Sequence, residues 1–297
     1  MDGGGAEARA PARALNAVPA VAVVIPVRDR AAMVVEAVRS VLAQTFRDFA
    51  LVVVDDGSSD DSFEAASAAL SVAPAGSRVL RQPPSGVAAA RNAGAAALDS
   101  AWIAFLDSDD LWEPAKLATQ MAWLAERPAY RIAQTDERWL DRGRHRNPGA
   151  RHRKEETIFP RCLERCLVSP SAVAIRRDLY DALGGFDPSF ALCEDYELWL
   201  RIALRERVGL VAEPLVIKRG GHADQLSRSI WGLDRFRVAA LVKLLATTPL
   251  GADERAAVAG VLRTKCDVLA QGAARRGRAD EAERYRALAG MGGRDAA

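Results

Sequence analysis

The chain carries only four cysteines, Cys162, Cys166, Cys193 and Cys266, among 297 residues. That is too few for a disulfide scaffold of this size and fits a reducing, cytoplasmic compartment. Histidine is scarcer still, with three. The Cys162/Cys166 pair therefore lacks the further closely spaced ligands of a structural zinc site. No apolar run reaches the roughly 18–20 residues of a membrane span. Residues 1–18 lack the apolar core of a secretory signal and read as a disordered tail. An excess of one charge is also missing, with 41 Lys+Arg against 39 Asp+Glu and a formal net charge of +2. Coating a nucleic acid needs surplus cations, so that partner class is excluded. Only five of the 41 cations are lysine; with the many alanines, this reads as genome composition rather than function.

What is present is a core. Hydrophobic residues make up 49% of the chain and charged residues 27%, enough to fold without staples. Short β-branched runs alternate with helical periodicity. VPAVAVVIPV, ending near Val27, reads as a buried strand, and Val34, Val38, Val41 and Leu42 mark a helix over 31–45. FALVVVDD is a second strand, 61–70 a helix, Ser77–Arg81 a short edge strand, GVAAARNAGAAALDS a helix and AWIAFLD a fourth strand. A helix over 116–130 stops at Pro128. Strands near Tyr130–Thr135 and Ser171–Ile175, a helix from CEDYELWLRIAL and the strand VGLVAEPLVIK follow. From about Ile230 three helical pieces break near Pro249–Gly251 and Gly277. The alternation predicts an α/β fold with a doubly wound, mostly parallel sheet, flanking helices and a C-terminal helical extension.

Such sheets bind ligands outside the carboxyl ends of their strands. Arg28 and Asp29 follow the first strand, Asp55 and Asp56 the second, and Asp107, Ser108, Asp109 and Asp110 the fourth. Asp107-Ser108-Asp109 sets two carboxylates side by side at a strand end. Hard cations such as Mg²⁺ or Mn²⁺ take such oxygens together with substrate phosphates. An acidic turn is the bland alternative, as it is for Asp55-Asp56-Gly57. The stretch 142–154 holds Arg142, Arg144, Arg146, Arg151, Arg153 and Lys154 without an acid, either a solvated loop or a guide for an anionic substrate.

Taken together and in order, VVIPVRDR, VRSVLAQTFRDFALVVVDDGSSD, GVAAARNAG, FLDSDDLW, GGFD and CEDYELWLR resemble the family 2 glycosyltransferases, which have a GT-A fold. QTDERW, CLVSPSAV and GGHADQLSR add a likeness to one bacterial branch of that family. The resemblance covers roughly residues 20–230. It implies a domain over 19–229, divided into a nucleotide-binding half (19–115) and an acceptor half (116–229), with 230–297 as the extension. It also implies inverting transfer of a sugar from a nucleoside-diphosphate donor, a UDP-sugar first, to an acceptor hydroxyl on a glycan, a lipid-linked or a small molecule.

By that resemblance, Pro26, Val27, Arg28 and Asp29 line the base pocket, and Asp56 contacts uracil or ribose. Arg91 lies near the donor phosphates or ribose, Asp107 and Ser108 near the ribose or sugar. Asp109 and His222 hold Mn²⁺ or Mg²⁺. Asp195, beside Glu194, is the catalytic base. Where the family usually has an aromatic and an asparagine stand Arg28 and Asp29, so base stacking falls to an arginine plane.

Trp112, Trp199, Gln134 and Glu137 are acceptor-pocket candidates, with core packing as the competing reading. Two other functions compete: a silent nucleotide- or sugar-binding module, and a sugar-nucleotide nucleotidyltransferase. The second needs a glycine-rich loop where this chain has PVRDR. Arg235, Arg237 and Lys243, interleaved with Phe236, Val238 and Leu241, allow peripheral contact at the inner membrane face, against packing on the core.

Overall fold

The computed structural model describes residues 18–146, 149, 153–156, 159–221 and 232–291. The first strand, β1 (Val21–Val27), and β2 (Phe49–Asp55) are buried along their whole length, as β-branched runs must be when helices cover both faces of a parallel sheet. Between them α1 (Ala31–Leu42) buries Val34, Ala37, Val38 and Val41, one helical stripe. Next come α2 (Ser62–Ala69), the edge strand β3 (Arg78–Arg81), α3 (Val87–Ala96), β4 (Trp102–Phe105), the two-residue strand β5 (Leu111–Trp112) and α4 (Lys116–Ala125). The second half runs β6 (Ile132–Asp141), β7 (Arg144–Arg146), α5 (Phe159–Cys162), β8 (Val173–Arg176), α6 (Arg177–Ala182), α7 (Glu194–Ala203) and β9 (Gly209–Gly220). Three helices follow: α8 (Asp234–Thr247), α9 (Ala252–Arg275) and α10 (Ala279–Ala289).

The strands form one sheet in the order β3-β2-β1-β4-β8-β6-β9-β5, with β7 pairing to β6. Parallel pairings of β1 with β2 and β4, of β2 with β3, and of β6 with β9 hold most of the paired residues. The sheet is less uniform than strand–helix alternation implies. β8 lies antiparallel between β4 and β6, and β5 antiparallel to β9. A strand covered on both faces has the same composition in either direction, so pattern alone does not reveal polarity. β6 also extends beyond the expected Thr135, with a bulge at Thr135–Glu137 opposite Pro214 of β9.

Alternate residues of β1 serve two cores. Val21, Val23, Ile25 and Val27 join Val34, Val38, Trp112 and Leu117 on one face. Val24 joins Phe105, Tyr180, Phe186 and Trp199 on the other. Gly94 of α3 is where helix and sheet approach most closely: a Cβ there would stand 2.4 Å from Val24 Cγ1. Val238, Leu241, Leu244, Val258, Leu262, Cys266 and Tyr285 of the last three helices enter the same core as Trp199. Val238 and Leu241 therefore face protein, the core packing set against membrane contact for this helix. No helix among the described residues is long and apolar enough to cross one.

Candidate active site

The carboxyl ends of β1, β2 and β4, the first turn of α7 and the end of β9 meet at one edge of the sheet. Asp107, Asp109 and Asp110 follow β4, and one oxygen from each lies within 4.8 Å of the others. Each faces a different cation. Arg91 Nη2 donates to Asp107 at 2.7 Å, Arg30 Nη1 stands 3.0 Å from Asp109, and Lys218 Nζ stands 3.6 Å from Asp110. Their environments divide their roles. Asp110 is buried, accepts hydrogen bonds from Ser171 Oγ at 2.6 Å and the Arg219 amide at 3.0 Å, and ties β9 to the turn after β4. Burial, with Asp109 and Asp107 nearby, pushes its carboxyl up to about 7 despite Lys218. Burial also acts to raise Asp107, but Arg91, Lys218 and Arg30 outweigh it and hold that carboxyl below its ordinary value. Ser108 is buried between them.

Three clustered carboxylates suit a hard divalent cation. Asp107 and Asp109 are the accessible members, their side chains 24% and 15% exposed against 3% for Asp110. Arg30, Arg91 and Lys218 already offset much of the cluster's charge, so an ion must share Asp109 with Arg30 or displace it. The donor set fits, with Asp109 and Asp107 as the groups that would hold the ion. His222 lies outside the described residues.

Arg91 departs from expectation. It is buried, its guanidinium stacks 5.0 Å from the centre of the Phe186 ring, and both its ends are taken by carboxylates. Besides Asp107 it donates through Nη1 to Glu194 at 2.6 Å. It is a bracket between a strand end and the start of α7, not an open ligand for donor phosphates. Asn92, next in the chain, fastens the GGFD turn. Its amide donates to the Phe186 carbonyl, and its Oδ1 accepts from the Phe186 amide and the Tyr180 hydroxyl.

The bracket sets the first turn of α7. Cys193 enters it with φ of 61°, the left-handed region that non-glycine residues rarely adopt. Glu194 is buried; desolvation, with Asp195 adding to it, pushes its carboxyl up to about 7 against Arg91. Asp195 is half-buried and turned differently. It accepts from the Tyr196 amide at 2.6 Å and from the Cys166 thiol at 3.4 Å. Among the described residues no cation pairs with it, whereas Glu194 is taken by Arg91.

After β1, Arg28 and Asp29 are open at the rim. Asp29 has φ of 51° and is fixed by the amide and hydroxyl of Ser59, which hold its carboxyl below the usual range. Pro26 and Val27 are buried within β1, with Val27 in the core; they shape the strand rather than line the pocket. Asp56 is engaged from within: Gln82 Nε2 and the amides of Ser85 and Gly86 donate to it at 2.7–2.9 Å. It organises the turn into α3, and three of a carboxylate's roughly four lone-pair sites are spent there.

The acceptor candidates are largely core. Trp112 is buried, donates through Nε1 to the Ser171 carbonyl at 2.7 Å and covers Lys116. Trp199 packs edge-on against Phe186 within the core. Both expectations are thus corrected, because on elements covered on both sides a tryptophan fills volume. Gln134 is fully buried with its amide unpartnered, and Glu137 pairs with Lys154 at 3.2 Å and accepts from Trp139 Nε1. Lys154, read as part of a cationic loop, is itself buried by that pairing, whereas Arg144 and Arg146 stand exposed on β7. Arg151 lies outside the described residues. The residues that sequence reasoning missed are Arg30, Lys218, Arg219, Ser171 and Cys166. Arg30 and Lys218 carried a usable signal, since each follows or ends a strand on the binding edge.

The family model for glycosyl transferase family 2 matches residues 22–184. The chain belongs to that family. An uncharacterised glycosyltransferase of Rickettsia felis is 29% identical over 66% of this chain, and the match spans 32% of that relative's length. An uncharacterised protein of Mycobacterium tuberculosis is 31% identical over 71% of this chain and 70% of its own. Among solved structures, S. aureus TarS in complex with UDP-GlcNAc aligns with a TM-score of 0.61 at 14% identity, covering 90% of this chain and 91% of that one. The mannosyltransferase PcManGT from Pyrobaculum calidifontis, in complex with GDP-Man and Mn²⁺, gives a TM-score of 0.57 at 18% identity over 95% and 89%. At those identities the family 2 chain shares their fold, which is GT-A.

Proposed function

We propose that the chain is an inverting, metal-dependent glycosyltransferase that moves a sugar from a nucleoside-diphosphate donor to an acceptor hydroxyl, with Asp195 as the base. The observation that carries this reading is the Arg91 bracket. One buried guanidinium holds Asp107 of the acidic cluster and Glu194 of the base-bearing turn. In this reading a donor diphosphate at the cluster and the Asp195 carboxylate of α7 face one cleft, as displacement from the face opposite the leaving group requires.

Each residue has a task in that reaction. Arg28 offers its plane to the base and Asp29 a carboxylate to the nucleoside. Mn²⁺ or Mg²⁺, held by Asp109 with Asp107 alongside, would offset the negative charge that grows on the departing diphosphate. Asp195 takes the acceptor proton as the new glycosidic bond forms, which supplies typically about 10²–10⁴-fold. Glu194 does not compete for that proton, because Arg91 occupies it. A UDP-sugar is the first donor to test, since TarS was solved with UDP-GlcNAc, and a GDP-sugar the second, after PcManGT. The four unpaired cysteines support a reducing, cytoplasmic setting.

The test is thermal unfolding with Mn²⁺ and a panel of sugar nucleotides. A true donor at 100-fold over its Kd stabilises the chain by about 2.7 kcal/mol. One nucleotide class should raise the melting temperature; no shift with any donor would contradict the reading.

A further inference from the structure

Helix α8 begins against the turn that carries the base. Cys193 Sγ lies 3.9 Å from the Leu233 carbonyl oxygen. Further along α8, Lys243 Nζ donates to Asp187 at 2.6 Å and to Glu197 of α7 at 2.7 Å. The helix is thus pinned to the base-bearing element at two points. Between them stands Arg237, largely buried. Its charge acts on Cys193 and Cys166, and the Cys166 thiol donates to Asp195 at 3.4 Å.

Among the described residues, Arg237, Lys265 and Asp234 form a trio whose charge does not balance. Arg237 Nη1 stands 3.0 Å and Lys265 Nζ 2.9 Å from the same oxygen, Oδ1 of Asp234. Two cations sharing one carboxylate leave a unit of positive charge. The Arg237 Nε–H is buried with no acceptor, and buried donors in native proteins are rarely left so. The acidic cluster that suits a donor diphosphate lies at the other end of the Arg91 bracket.

We infer that Arg237 is a binding residue for an anionic group, a phosphate, on the acceptor molecule. This rests on the inverting reading above, in which the base stands on the acceptor's side of the sugar. An anion beside the base is then the acceptor's, not the donor's. A guanidinium whose Nε–H has no acceptor among the described residues offers that donor to a phosphate oxygen. Asp234 holds it in place between turnovers.

The phosphate could belong to a soluble sugar phosphate or to a lipid, and two arms separate them. In the first, calorimetry compares glucose 6-phosphate with glucose on the full chain, with UDP and Mn²⁺ present. In the second, the chain is sedimented with phosphatidylglycerol vesicles and with neutral phosphatidylcholine vesicles. Wild type should prefer the phosphate-bearing probe in at least one arm by about tenfold or more, the size of a hydrogen-bonded charge contact. R237Q should erase that preference and R237K keep part of it, while UDP binding stays unchanged. Preference in the vesicle arm alone assigns the phosphate to a lipid. A wild type that shows no preference in either arm overturns the inference whether or not the variants fold, and so does an R237Q protein that keeps the preference. Failure of wild type to bind any sugar nucleotide would instead sink the transferase reading, an outcome read separately.

Discussion

Replacing Arg91 with methionine tests the bracket directly. The substitution keeps a long apolar side chain against Phe186, so packing changes little. It removes the cation that serves Asp107 and Glu194 together. Asp107 keeps Arg30 and Lys218 within reach, whereas Glu194 is left buried beside Asp195. Stripping one partner from a buried ion pair typically costs about 3–5 kcal/mol, a large part of the roughly 5–15 kcal/mol that holds a domain together.

The cost must depend on pH. Glu194 already sits near 7 with Arg91 present, raised by burial, and without Arg91 it rises further. A carboxyl whose folded value lies above its unfolded value is tolerated when protonated, so its penalty is absent below the unfolded value, grows as pH rises above it and is complete once pH passes the folded value. Urea unfolding of R91M and wild type in metal-free buffer should therefore give a gap that widens by about 1 kcal/mol between pH 5 and pH 8, the linkage open to a carboxyl already held near 7. A gap under about 1 kcal/mol at pH 8, or one unchanged between the two values, would refute the bracket.

Other outcomes follow from the same geometry. Asp195→Asn should lower transfer by about 10²-fold or more with donor affinity unchanged, measured by nucleotide release and by calorimetry. Lys116 is fully buried, and burial, with Lys154 adding to it, drives its amine well below the usual lysine range. Its penalty on folding is full below that lowered value and vanishes as pH passes the unfolded value near 10. Lys116→Met should therefore raise the unfolding midpoint at pH 6, with the gain fading toward pH 10. Gly94→Ala should destabilise by about 1–3 kcal/mol in urea despite better helix propensity, because its Cβ would meet Val24 Cγ1 at 2.4 Å.

Much of this architecture is written locally. The β-branched runs that became β1, β2 and β4, the stripe of α1, and the breaks at Pro249–Gly251 and Gly277 each follow from short-range pattern. The acids at strand ends were legible because a strand's direction fixes where its carboxyl end points. Less legible was anything set by two distant segments. The antiparallel β8 and the two-residue β5 owe their places to neighbours, not composition. Trp112 and Trp199 carry no sign in their sequence surroundings that both faces are covered. Arg91 sits in an alanine-rich helix, and only the folded chain shows that it spans 103 residues to reach Glu194. The offset of the acidic cluster by Arg30 and Lys218 is long-range in the same way.

Donor turnover by Asp195→Asn beside wild type, with Mn²⁺ and whichever sugar nucleotide stabilises the fold, bears most directly on the assignment of base and donor to one cleft. Wild type should release nucleoside diphosphate and form a glycoside of inverted configuration, while the variant binds the donor equally well and releases almost none. Turnover by the variant at the wild-type rate, or a product of retained configuration, would contradict it.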